Sequence, residues 1–450
     1  MGRRIEKDSF GAVEIPEGRL WGIQTERSRR NFSIGGQRIP MEIIRAIALI
    51  KSAAAVVNCK AGKLPPDKCT AIVASAGEIL SSDLKAEFPL VVWQTGSGTQ
   101  TNMNVNEVIA RLAEGKCKLH PNDDVNMSQS TNDVFPSAIH IAAVLECERT
   151  LIPALKGLAE TAKSIEEKSA GIVKLGRTHL QDATPIKFSE EVSAWRAAVE
   201  SGIQMLNDAL KYLRKLALGG TAVGNGINAP QGFGKAAVHE LNLMTSGGFV
   251  EDENKFRALS MKDAVSNFHG VLKTIAASLF KIANDVRWLA SGPRGGIGEI
   301  TIPANEAGSS IMPGKVNPTQ SEALMMVAAE ILGNDATVAF AASQGNFQLN
   351  VCMPVIAFKV MESIKLLADG VKSFDKNCFS GLVPNAKKMR ENVEKSLMLA
   401  TALAPHIGYD KASELVRYAD KNNLSLGKAN LILGLVAPEL FQELIDRILR

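Results

Sequence analysis

The segment Gly308-Ser309-Ser310-Ile311-Met312-Pro313-Gly314-Lys315-Val316-Asn317-Pro318 concentrates paired hydroxyls, an ammonium and an amide in one short stretch. Side chains of these types hold and attack small anions. Glycines at 308 and 314 and prolines at 313 and 318 forbid a regular helix, so the spacing predicts a loop. A plain surface turn is the rival reading. It needs no such density of polar heads, whereas binding and catalytic residues sit disproportionately on loops.

Four further segments gather polar groups at the ends of helical patterns. Gln94–Asn104 places Gly96, Ser97, Gly98 and Thr99 before the apolar series Val105, Val108, Ile109 and Leu112. That order makes a nest of backbone N–H groups at a helix N-terminus, suited to an anion. No Gly-Lys-Ser/Thr follows, so a carboxylate is the expected guest and a nucleotide phosphate is not. His120–Asp133 carries more amides and hydroxyls, Ser130, Thr131 and Asn132 among them, than one helix N-cap requires. In Gly176–Pro185, His179 stands among Thr178, Gln181 and Asp182, in what reads as a loop before a helix. A histidine titrates near pH 6.5 and is the natural proton carrier at neutral pH. His140, His239 and His269 lack such neighbours and are read as structural. Gly292–Glu299 superficially suggests a dinucleotide fingerprint, but it follows a helical pattern and its glycine spacing is wrong, so it reads as a hinge.

Those clusters need elements to position them. Between Val134 and Phe374 the apolar residues step by three and four, as in Phe268, Leu272, Ile275, Leu279, Ile282, Val286 and Leu289. Leu151 to Ile165, Val192 to Leu213 and Ile356 to Val371 repeat the rhythm. Such seams specify long helices packed at shallow angles, about five of them, with Pro153 kinking the first. After the 308–318 loop come Ala323, Ala328, Ala329, Gly333, Ala336, Ala341 and Ala342. They reflect either close packing between subunits or only alanine's helix propensity. The fold is read as mainly α, in three parts: residues 1–129, mixed and mostly helical; 130–383, a central long-helix bundle; and 384–450, a small helical domain. No strand–helix alternation supports a doubly wound sheet.

Composition narrows the function classes. The 450 residues are 46% hydrophobic, ample for a packed core, and the net charge of +4 is weak over that length. With no basic run interleaved with aromatics, nucleic acid is not an expected partner. Six cysteines without a CxxC pair or histidine companions read as reduced thiols, with no metal site and no cofactor. No signal sequence follows Met1-Gly2-Arg3-Arg4, and no uninterrupted apolar run approaches a membrane span. A soluble, cytoplasmic protein without a membrane partner is the expectation.

WQTGSGTQTNMNVNEVIA, HPNDDVNMSQSTNDVFPSAIHIA, GRTHLQDATP, LALGGTAVGNGIN and GSSIMPGKVNPTQ together resemble the class II fumarases of the fumarase/aspartase superfamily. The opening GAVEIPEGRLWGIQTERS and the tail LAPHIGYDKAS fit as well, so the resemblance runs through nearly the whole chain. Aspartase-like members have Gln where His179 stands and Ala where Gly314 stands. Met127 departs from the family's usual Lys, Thr101 from Ser and Ala404 from Asn. The resemblance implies a homotetramer with a joint core of about twenty helices. It further implies active sites built from loops of three subunits, and reversible anti elimination of water from (S)-malate to fumarate. Carried over residue by residue, it makes Ser309 the base at C3 and His179 the partner of the leaving hydroxyl. Ser97, Gly98, Thr99, Ser130, Thr131, Asn132, Thr178, Ser310, Lys315, Val316 and Asn317 become substrate-binding residues. Glu322 supports His179, and His120, Pro121, Asn122 and Asp123 match an accessory carboxylate site. The alternatives are an aspartate ammonia-lyase and a catalytically silent structural relative.

Overall fold

The computed structural model describes residues 2–308 and 310–448. Helices form where the three–four spacing predicts them. The chain opens with an antiparallel hairpin, β1 (Arg3–Asp8) and β2 (Gly11–Pro16), with Arg3 opposite Pro16 and Asp8 opposite Gly11. Helices α1 (Ile23–Asn31), α2 (Met41–Lys60), α3 (Pro66–Ser81) and α4 (Thr99–Leu112) follow. Pro65 and Pro66 open α3, since proline at a helix start gives up no hydrogen bond.

A long helical run then comprises α5 (Thr131–Glu146), a π segment (Cys147–Leu151) and α6 (Ile152–Lys168). Pro153 lies in the first turn after the π segment, and helix continues on both sides as the periodicity requires. Strands β3 (Val173–Thr178) and β4 (Gln181–Lys187) pair antiparallel before α7 (Phe188–Leu213). Beyond them lie α8 (Phe233–Thr245), α9 (Lys255–Ser260), α10 (Asp263–Leu289), α11 (Thr319–Ala342) and α12 (Met353–Asn377). The C-terminal helices are α13 (Ala386–Lys395), α14 (Ala404–Ile407), α15 (Tyr409–Lys421), α16 (Leu426–Leu433) and α17 (Pro438–Ile448). The seam residues of α10, Phe268 to Leu289, and of α12, Ile356 to Val371, are buried, so the stripes read from sequence are the packed faces.

Two compact units divide the chain. One comprises Met1–Pro153, Gly202–Ala276 and Val327–Ala368, and the other Ala154–Ser201, Ala277–Met326 and Asp369–Arg450. In the second unit Trp195 is buried, edge-on to Phe188 at 6.3 Å and tilted against Phe379 at 6.1 Å. Its indole N–H donates to Asp285 at 3.0 Å, satisfying the one polar atom the burial would strand. The tail helices share a core of Leu399, Leu403, Leu415, Leu426 and Leu444 with Leu175 and Val393.

One feature corrects the sequence reading. The segment around His179 is a β-hairpin and not a loop before a helix. Its two-residue turn lacks the Asn-Gly or Asp-Gly signature by which such turns are recognised. Helix α11, although interrupted by acids in sequence, is long and apolar enough by composition to cross a membrane, with a mean hydropathy of 1.4. Only 28% of that apolar window is buried within the chain. Leu324, Ala328, Ile331, Val338 and Ala341 form its buried seam, whereas Met326, Leu332 and Phe340 are exposed.

Candidate active site

The first unit brings two of the predicted clusters together. Gly98 is the N-cap of α4 in the left-handed conformation, φ 78°, and a Cβ there would lie 2.4 Å from the Phe135 ring. At Gly96 a Cβ would fall 1.5 Å from the Val351 carbonyl oxygen. Only glycine permits this approach, which folds Ser97 back so that its hydroxyl meets that of Thr99 at 2.8 Å. At the α4 N-terminus the Thr101 N–H donates to Gln94 Oε1 at 3.1 Å, and the positive end of the helix lies at the same loop as the two hydroxyls.

Ser130 caps α5 in a capping box: its Oγ accepts from the Asn132 N–H at 3.2 Å, and Asp133 accepts from the Ser130 N–H at 2.9 Å. The two helix starts are tied side to side, because the Asn102 amide of α4 donates to Thr131 Oγ1 at 2.9 Å. Asn132 donates to the Ala222 carbonyl at 2.8 Å, and Asp133 Oδ2 accepts from the Gly219 and Thr221 N–H groups, each at 3.0 Å. Burial pushes the Asp133 carboxyl up to about 6, opposed by those backbone donors and by the charge of Lys51. Ser97, Gly98, Thr99, Ser130, Thr131 and Asn132 thus share one anion-favouring corner made of two helix N-termini.

The accessory residues lie on a separate turn of the same unit. His120 Nδ1 accepts from the Asp123 N–H at 3.0 Å, and the His120 N–H donates to Asp124 at 2.8 Å. Lys68 fixes Asp124 at 2.8 Å. His120, Pro121 and Asn122 rim an open cavity of about 910 Å³ whose other walls mix Arg111, Lys116 and Lys118 with Glu6, Asp8 and Glu114.

The second unit carries His179, Thr178 and the signature loop. His179 (φ 57°) and Leu180 (φ 61°) form the tip of the β3–β4 hairpin, with Thr178 opposite Gln181, and the imidazole is exposed. The hairpin is anchored from beneath by Glu299, whose side chain is 0% exposed. Arg177 grips this carboxylate with two nitrogens, at 2.7 and 3.0 Å, Lys174 approaches to 3.3 Å, and Asn392 donates at 2.9 Å. Burial alone would raise the Glu299 carboxyl, but Arg177, Lys174 and Asn392 outweigh it and hold it below the usual carboxylate range.

In the signature loop, Asn317 donates its amide to the Gly308 carbonyl, and the Lys315 N–H donates to Met312 at 3.3 Å, so the segment closes on itself. A Cβ at Gly308 would strike the Lys315 carbonyl oxygen at 1.8 Å. Ser310, Lys315 and Val316 are exposed, and Glu322 is exposed on the first turn of α11. Ser309 lies outside the described residues. Among the described residues no group of three or more His, Cys, Asp or Glu side chains could hold a metal ion.

Sequence reasoning missed two anchors. Glu299 ends the glycine segment read as a hinge, and its only signal was an acid closing a turn. Lys51, buried in α2, stands alone among Ile47, Ala48, Ile50, Ala53 and Ala54. A lysine set between Ile50 and Ser52 in a largely apolar helix was the available signal.

Comparison with known proteins converges on one family. Residues 11–333 match a lyase family, and residues 399–448 match the fumarase C C-terminus. The chain is 52% identical over 453 residues to a fumarate hydratase class II of Bacillus anthracis, covering 99% of this chain and 98% of that one. It is 52% identical over 449 residues to the class II enzyme of Ralstonia nicotianae, covering 98% and 97%. Among solved structures, a class II fumarase from Schistosoma mansoni superposes with a TM-score of 0.97 at 39% identity, covering 99% and 98%. A fumarate lyase:delta crystallin from Brucella melitensis gives 0.95 at 38%, covering 99% of each chain. With two family signatures and full-length identity above half, the chain belongs to the class II fumarate hydratases and has the fumarase/aspartase fold.

Proposed function

We propose that this protein is a fumarate hydratase, interconverting (S)-malate and fumarate by anti elimination and addition of water, as in the tricarboxylic acid cycle. The observation that carries the reading is the pair of helix N-termini, α4 and α5, joined through Asn102 and Thr131. Two such ends rimmed by Ser97, Thr99, Ser130 and Asn132 suit the carboxylates of a small dicarboxylate.

The hard step is removal of a weakly acidic C3 proton, which leaves an aci-carboxylate with added negative charge. Stabilising that charge is the largest demand on the site. Lys315 and Asn317 would meet it from the signature loop, with Thr178, Ser310 and Val316 lining the substrate and Thr99, Ser130, Thr131 and Asn132 gripping the carboxylates. Ser309 would take the C3 proton, its hydroxyl made acidic by Lys315 and the loop N–H groups. His179, oriented by Glu322 of the partner subunit, would deliver a proton to the departing hydroxyl through water. No metal or cofactor enters this scheme.

The same reading includes a homotetramer, each active site drawing one loop from each of three subunits. The exposed Met326, Leu332 and Phe340 of α11 support it, since a helix apolar on most sides needs a second surface. The three-part division at residues 129 and 383 belongs to this reading too. Six free thiols favour a reducing compartment, the cytoplasm. His120 to Asp123 would hold a second carboxylate. Far-ultraviolet absorbance of fumarate, followed separately with malate and with aspartate, tests the proposal. Fumarate from malate alone supports it; fumarate from aspartate alone points to an ammonia-lyase, and none from either to a silent relative.

A further inference from the structure

Lys51 lies on α2 with its side chain wholly enclosed, 0% exposed. Its ammonium donates to Asn126 Oδ1 at 2.7 Å and to Gln129 Oε1 at 3.0 Å. These acceptors bracket the turn that leads into Ser130, where Gln129 N–H donates to the Asn126 carbonyl at 3.1 Å and Ser128 takes a φ of 63°. Two helical turns further along the same face of α2, Asn58 grips that turn from the other side. Its amide donates to the Met127 carbonyl at 3.0 Å, and its oxygen accepts from Ser128 Oγ at 2.8 Å. Asn126 Oδ1 also accepts from Asn102 at 3.2 Å and Asn106 at 3.3 Å, so the α4 face is referenced to the same point.

An ammonium is a costly way to fill an apolar helix contact, and a well-packed apolar residue is often as stabilising or more so. The specific gain of a lysine here is geometric. It fixes two side-chain oxygens, and through them the path of residues 126–130, against the starts of both α4 and α5. Burial pushes the Lys51 ammonium down to about 7, and the charge of the buried Asp133 carboxylate, three residues past Ser130, opposes that shift.

We infer that Lys51 is a positioning residue of the carboxylate corner: its enclosed ammonium, through Asn126 and Gln129, sets the turn that presents Ser130, Thr131 and Asn132 to a dicarboxylate. The inference rests on the fumarate hydratase reading. Those three residues grip carboxylates that are present in both ground and transition states. Loosening them therefore weakens binding of both, which raises KM more than it lowers kcat.

The experiment compares wild-type protein with Lys51→Met and Gln129→Leu in malate dehydration, with circular dichroism and melting as controls of fold. Lys51→Met should raise KM for malate at least tenfold while kcat falls no more than about threefold, and Gln129→Leu should raise KM at least threefold. A role confined to folding would lower kcat, through a smaller active fraction, and leave KM unchanged. That pattern in a folded Lys51→Met overturns the inference. Should Lys51→Met fail to fold, Gln129→Leu decides alone, and an unchanged KM there overturns it equally. Wild-type protein inert toward malate would refute the fumarate hydratase reading instead, before either variant is measured.

Discussion

Removing the Glu299 carboxylate should release the hairpin that carries His179. Glu299 is 0% exposed and Lys174 1%, while Arg177, at 18%, retains some access to water. Stripping one partner from a buried ion pair costs about 3–5 kcal/mol, because the remaining charge stays desolvated. Lys174 keeps Glu191 at 3.0 Å, and Arg177 can turn partly to solvent, so Glu299→Ala belongs at the lower end, about 3 kcal/mol. At about 1.4 kcal/mol per tenfold, the amides of residues 173–187 should exchange with solvent roughly a hundred times faster. Mass-spectrometric hydrogen exchange on that peptide measures it, with the α3 peptide of the first unit as internal control.

The pH dependence has a fixed sign. Glu299 is held below its ordinary value of 4.5, so its contribution is complete above that pH and is lost as pH falls through its folded-state value. Glu191 is pushed up by burial, so its effect runs the other way, opposing folding as pH rises above 4.5. Wild-type protection of the hairpin should therefore decline below pH 4.5, and Glu299→Gln should flatten that acid limb. Exchange in Glu299→Ala within about threefold of wild type would refute the reasoning.

His179→Asn should lower kcat by about two orders of magnitude with assembly intact, and near-normal turnover would remove His179 from the chemistry. Gly98→Ala should cost more stability than Gly314→Ala in thermal melts. Both positions have positive φ, but a Cβ at Gly98 meets Phe135 at 2.4 Å whereas Gly314 has nothing within 4 Å. Equal melting losses would contradict this. Inactive Ser309→Ala and His179→Asn proteins, refolded together, should regain about a quarter of wild-type activity if each site draws these residues from different subunits. Mixtures as inactive as their parents would place both residues on one chain.

The long helices were legible because their apolar steps are local: Phe268 to Leu289 name their own buried face without knowledge of any partner. The corner formed by Ser97 to Thr99 and Ser130 to Asn132 was legible in kind, since glycine and hydroxyls before an apolar run signal a helix start. That Asn102 and Thr131 would join the two starts was not, because this contact depends on how α4 packs on α5. The His179 hairpin escaped because its turn uses His and Leu at positive φ, held by Glu299, which lies 122 residues from Arg177 along the chain. The exposure of α11 likewise follows from packing and not from composition, which is apolar on nearly every side.

The central claim, reversible anti addition of water to fumarate, is tested most directly by incubating the protein with fumarate in heavy water and following the product by proton NMR. The account predicts malate carrying one deuterium at C3, as a single diastereomer with that deuterium delivered anti to the new hydroxyl. No malate, or a mixture of both diastereomers from the first turnovers, would contradict it.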